Sequence, residues 1–67
     1  MSLIKRSFTL EGHKTSIALE VEFWEVLEKI AAKKQISMPH LISEIDSVRD
    51  LRPLASSLRV FCLKHCA

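Results

Sequence analysis

Long apolar runs are missing from this chain. No stretch approaches the roughly 20 residues that a helix needs to cross a bilayer, so no membrane segment is expected. No secretory leader and no low-complexity tract can be read from it either. Cysteine is limited to Cys62 and Cys66, which together with the missing export signal points to a reducing cytoplasm. Glycine is scarcer still. Gly12 is the only one, and it marks Glu11-Gly12 as a turn, because glycine enters left-handed backbone without steric cost. A strong charge of either sign is also absent: the formal net charge of +2 argues against indiscriminate binding to polyanions. There is no nucleophile–base pair, carboxylate dyad or phosphate-cradling loop. An enzyme is not expected, and no cofactor is implied.

What is present is hydrophobic and unevenly charged. At 67 residues the chain is a single domain, 1–67, close to the size at which one core is barely sufficient. Hydrophobic residues make up 48%, too many to hide in so small a monomer, so a homodimer is expected. Residues 1–19 carry Lys5, Arg6 and Lys14 against Glu11 alone, a basic leading end suited to a local phosphate contact. Residues 20–34 set Glu20, Glu22, Glu25 and Glu28 against Lys29, Lys33 and Lys34.

Periodicity divides the chain. In 13–19, Thr15, Ile17 and Leu19 alternate with Lys14, Ser16 and Ala18, the two-residue period of a half-buried strand. Over 21–34, Phe23, Leu27, Ile30 and Ala31 recur at helical spacing, widened by Trp24 and Val26, and Glu25 and Lys29 are set to pair on the exposed side. A second helix over 38–49 follows, with Ser37 as N-cap, Pro39 in its first turn, and Met38, Leu41, Ile42, Ile45 and Val48 inward. Pro53 opens a third helix over 53–66, with Leu54, Leu58, Phe61, Cys62 and His65 on one face and Val60 and Leu63 on a second strip. Residues 1–12 fit either a basic arm or an extra strand folding back as a hairpin. The arm is favoured, because a hairpin competes for the edge that a dimer needs. A lone strand has an unpaired row of backbone donors and acceptors, and the simplest partner is the same strand from a second copy.

Several residues carry a narrower resemblance: Lys5-Arg6-Ser7-Phe8-Thr9-Leu10, Gly12-His13, Thr15-Ser16, Leu19-Glu20, Phe23-Trp24, Glu44-Ile45-Asp46 and Leu58-Arg59-Val60-Phe61. Together they resemble the ribbon–helix–helix family of DNA-binding proteins, and a small bacterial subgroup with a basic lead-in and an added C-terminal helix. The resemblance implies a mainly α fold with one short β-strand, an intertwined homodimer, and an intermolecular antiparallel two-stranded ribbon. It implies double-stranded DNA as partner and transcription regulation as role, with the ribbon in the major groove. Carried over, the groove-facing positions are Lys14, Ser16 and Ala18, with phosphate contacts from Lys5 and Arg6. Ser37, Met38 and His40 match the helix N-terminus that grips a phosphate. Gln35 stands where the family usually has glycine, because the chain reverses there through left-handed backbone.

Other readings compete. Trp24 on a helix is core or interface rather than a base-stacking platform. Cys62, His65 and Cys66 are close enough to touch one ion, but a structural zinc site wants four ligands and the fourth is missing, so no metal is expected. Arg59 reads as a structural partner for Glu44 or Asp46 on the second helix. The rival function is a protein-interaction or antitoxin-like dimer with weak or no DNA binding. Ala18, Glu20 beside the ribbon and the apolar third helix, as a possible protein-binding element, speak for it.

Overall fold

The computed structural model describes residues 2–48 and 51–65. Five elements follow in order: β1 (Leu3–Leu10), β2 (His13–Glu20), α1 (Val21–Lys34), α2 (Met38–Ser47) and α3 (Leu54–His65). The strands form one antiparallel hairpin in which Leu10 faces His13, Ser7 faces Ser16 and Leu3 faces Glu20. Glu11 and Gly12 connect them with φ of 51° and 82°. Left-handed backbone at both central positions is the two-residue turn whose twist matches that of paired strands. The lead-in is therefore a strand and not the favoured arm. Its own alternation explains why: Phe8 and Leu10 need the same buried side that Ile17 and Leu19 need.

The core draws on every element: Leu10, Ile17 and Leu19 from the hairpin, Trp24, Leu27 and Ala31 from α1, Met38, Leu41, Ile42 and Ile45 from α2, and Leu58 and Cys62 from α3. Each large side chain removed from water contributes about 2 kcal/mol, which makes this cluster the main source of stability. Val48 was expected in it. It is 83% exposed, because α2 ends at Ser47 and the chain turns away there. Of the longer span expected for α2, residues 49 and 50 lie outside the described residues.

β1 is fastened to α1 by a group of contacts around one indole. Trp24 donates its Nε1–H to the Ile4 carbonyl at 2.8 Å, and its ring meets Phe8 at 5.8 Å between centroids. The Arg6 guanidinium lies 4.9 Å from the Trp24 ring and reaches Glu28 at 3.1 Å. Trp24 is thus a core residue, as its helical position implied. Glu25 and Lys29, expected to pair, form no ion pair among the described residues; the carboxylate engaged on this helix is that of Glu28.

At the α1–α2 turn, Gln35 takes up the left-handed conformation itself, with φ 60° and ψ 42°. Its N–H and that of Ile36 bond back to Ala32 and Ala31 at 3.1 and 3.0 Å, closing the last turn of α1. The geometry is the one that glycine usually supplies, adopted by a residue with a Cβ.

Candidate nucleic-acid interface

Side chains on the hairpin alternate between the helices and solvent. The outward row of β1 is Leu3, Lys5, Ser7 and Thr9, and that of β2 is Lys14, Ser16, Ala18 and Glu20. Across the strands Lys5 lies beside Ala18, Ser7 beside Ser16, and Thr9 beside Lys14. The Ser7 and Ser16 hydroxyls meet at 3.0 Å in the middle. The result is a narrow polar surface of small side chains with one lysine near each end. Neither Lys5 nor Lys14 has an ion-pair or hydrogen-bond partner among the described residues, so both ammonium groups remain available to an anion.

Glu20 closes the β2 row and is neutralised where it stands. Arg59 of α3 donates from Nε to Glu20 Oε1 at 3.0 Å and from an Nη to Oε2 at 3.4 Å. A hydrogen bond from its own backbone amide, and then this guanidinium, hold the Glu20 carboxyl below the usual carboxylate range. The pairing expected for Arg59 was with α2; its fork lands on β2 instead. On α2 the Glu44 carboxylate takes Lys34 at 3.5 Å and His40 at 3.1 Å.

The remaining expected site residues separate into two groups. Lys14, Ser16, Ala18 and Lys5 share the outward face. Arg6 does not: odd and even positions of β1 face opposite ways, and Arg6 is turned inward onto Trp24 and Glu28. At the start of α2, Ser37 caps the helix by accepting the His40 N–H at 3.2 Å. Leu41 N–H bonds to the Ser37 carbonyl at 3.0 Å, and Pro39 has no N–H. That leaves Met38 N–H as the donor of this turn without a partner among the described residues. The side chain of Met38 is buried, and that of His40 is taken by Glu44.

No group of three metal-ligating side chains gathers among the described residues; Cys66, part of the cluster weighed from the sequence, lies outside them. Cys62 is buried with its Sγ 3.7 Å from the Phe23 carbonyl oxygen. His65 stacks on Phe61 at 4.1 Å between ring centroids.

Sequence reasoning missed Ser7 and Thr9 as members of the outward face, and missed Arg59 as the neutraliser of Glu20. For Ser7 and Thr9 the signal was present: Ser7-Phe8-Thr9-Leu10 alternates polar with apolar, although Leu3 and Arg6 break the pattern earlier in the strand. For Arg59 none was, since its partner is 39 positions away.

A family model described as ribbon-helix-helix domain matches residues 3–66, almost the whole chain. No curated protein and no solved structure matches it.

Proposed function

Because the chain belongs to the ribbon-helix-helix family, whose members are generally DNA-binding transcription regulators, we propose that it binds double-stranded DNA sequence-selectively and regulates transcription. The observation that carries this reading is the outward face of the hairpin, with two unengaged lysines on a polar ribbon of small side chains. Such a ribbon enters the major groove. There Lys14 donates to guanine O6 or N7, Ser16 exchanges hydrogen bonds with several bases, and Ala18 meets a thymine methyl. Lys5 adds charge on the same side. The Met38 N–H, at the positive end of α2, suits one phosphate oxygen. Arg59 supports the reading indirectly, because it cancels the one carboxylate that would repel DNA from the β2 row.

A second copy of the chain belongs to this proposal, since the family typically binds DNA as dimers. Leu3, Ile4 and Val21 remain 55%, 43% and 41% exposed at the open end of the hairpin, which suits association with another apolar surface. The rival reading, a protein docked on the third helix, loses the main apolar face of that helix to the fold and keeps Leu63, which is 70% exposed. Leu58 and Cys62, the centre of its apolar face, are 0% and 1% exposed within the chain's own core.

The test is selection of bound sequences from a random DNA library by the purified protein at two salt concentrations. An enriched site whose affinity falls steeply with salt is the expected result. No enrichment by folded protein would sink sequence-selective binding.

A further inference from the structure

An arginine has five N–H donors in one plane, and a two-point pair with a carboxylate uses two of them. Arg59 makes such a pair. It gives one hydrogen from Nε and one from an Nη to the two Glu20 oxygens, at 3.0 and 3.4 Å. The other three donors meet no acceptor among the described residues. The Arg59 side chain is 34% exposed, which leaves it open to a ligand.

Its surroundings hold the guanidinium still. Leu58, one residue before it, and Cys62, three after, are buried and fix this part of α3 in the core. The Phe23 ring lies 5.8 Å from the guanidinium carbon, and the Glu20 carboxylate sets the direction of the fork. Glu20 stands at the N-cap of α1, yet its side chain makes no capping hydrogen bond there. Its carboxylate is committed to the arginine.

Position decides what a held guanidinium with spare donors can meet. Glu20 closes the outward row of β2 two residues after Ala18, about 7 Å along the strand. A ribbon lying in a groove about 12 Å wide has phosphate backbone close beside the end of that row. Arg6 pairs with Glu28 in a similar way, but it does so on the inward side of β1, against the Trp24 ring. A Glu20–Arg59 pair that only cancelled charge would do no more than a neutral residue at position 20. What the pair adds is an oriented arginine, whose planar fork matches two oxygens of a phosphate.

Building on the DNA reading above, we propose that Arg59 is a phosphate-contact residue, held by Glu20 and Phe23 so that its unused N–H donors take a DNA backbone phosphate beside the end of the ribbon. The third helix then belongs to the DNA-binding surface through this one side chain. Glu20 is a positioning residue that acts on DNA through Arg59. The contact adds affinity and carries no base preference of its own.

The experiment compares the wild-type protein with the double variant Glu20→Gln/Arg59→Ala by fluorescence anisotropy at several salt concentrations. The duplexes are the selected site and the same site with one base pair changed. Removing both charges keeps the net charge and leaves no bare carboxylate, so repulsion by Glu20 does not enter. Circular dichroism confirms that the variant is folded. Affinity is expected to fall by about fivefold for both duplexes alike, with a salt slope shallower by about 1. A second arm replaces the backbone phosphates of the site one at a time with uncharged methylphosphonates. At the phosphate that Arg59 contacts, the replacement weakens the wild-type protein and costs the double variant nothing, while other sensitive positions keep their penalty in both. That pattern separates the contact from any loosening of α3. Wild-type affinity in the double variant overturns the proposal and reduces Arg59 to a neutraliser of Glu20. So does an identical methylphosphonate profile for the two proteins. Both of these outcomes leave DNA binding by the ribbon standing. A wild-type protein that enriches no site is a distinct failure, which overturns the DNA reading and the phosphate contact with it.

Discussion

On one face of the hairpin Leu10, Ile17 and Leu19 are buried and Phe8 meets the Trp24 ring; on the other, the side-chain contacts are a hydroxyl pair and the Glu20–Arg59 fork at the end. The same two strands make both faces, and the two-residue period keeps them apart. The difference teaches that the fold and the candidate reading surface draw on alternate residues. Each can be altered with little effect on the other.

The strongest way to break that separation is at the inward face. Leu19→Ala removes a side chain with no exposed surface, and a loss of about 2–5 kcal/mol is expected in urea unfolding. A loss under about 1 kcal/mol would mean that the hairpin is not part of the core. Next in size is Lys14→Ala. DNA affinity should fall by about 1–3 kcal/mol while stability stays within about 0.5 kcal/mol. A large stability change there would merge the two faces. Trp24→Phe keeps the aromatic body but leaves the Ile4 carbonyl without its 2.8 Å donor, so thermal unfolding should report a loss of about 1–2 kcal/mol. Gln35→Gly, far from both faces, should stabilise by about 1 kcal/mol and raise Tm by several degrees, since glycine meets no steric cost at φ 60°.

The smallest effect concerns Glu20. Its folded-state pKa is depressed, so its contribution is fully present above the model-peptide value of 4.5 and is lost as pH falls through the lower folded value. Glu20→Gln should therefore flatten the acid limb of stability against pH. An unchanged acid limb would remove the Arg59 fork from the account of stability.

Local chemistry was legible in the chain; distant pairing was not. The second strand, the first helix and the Ser37 cap could be read because alternation, helical spacing and a capping hydroxyl act within a few residues. The left-handed turn at Gln35 was legible as a problem, and its solution needed coordinates, because a side chain can accept the steric cost or reroute the backbone. The hairpin was open between two outcomes that share one sequence pattern; the Phe8 and Leu10 contacts that decide it lie outside the strand itself. Arg59 was assigned to α2 instead of β2 for the same reason, since nothing local distinguishes Glu20 from Glu44 as its partner. Within the candidate site, Lys14, Ser16 and Ala18 followed from parity alone, whereas Arg6 needed the parity of a strand that was not assumed.

Trp24 is the only tryptophan in the chain, and its ring touches β1 through Ile4, Arg6 and Phe8. Its ultraviolet emission is therefore a built-in optical gauge of whether the first strand is seated. Peeling β1 away from α1 would wet the indole and shift that emission to longer wavelength, even while the three helices keep their far-ultraviolet signal.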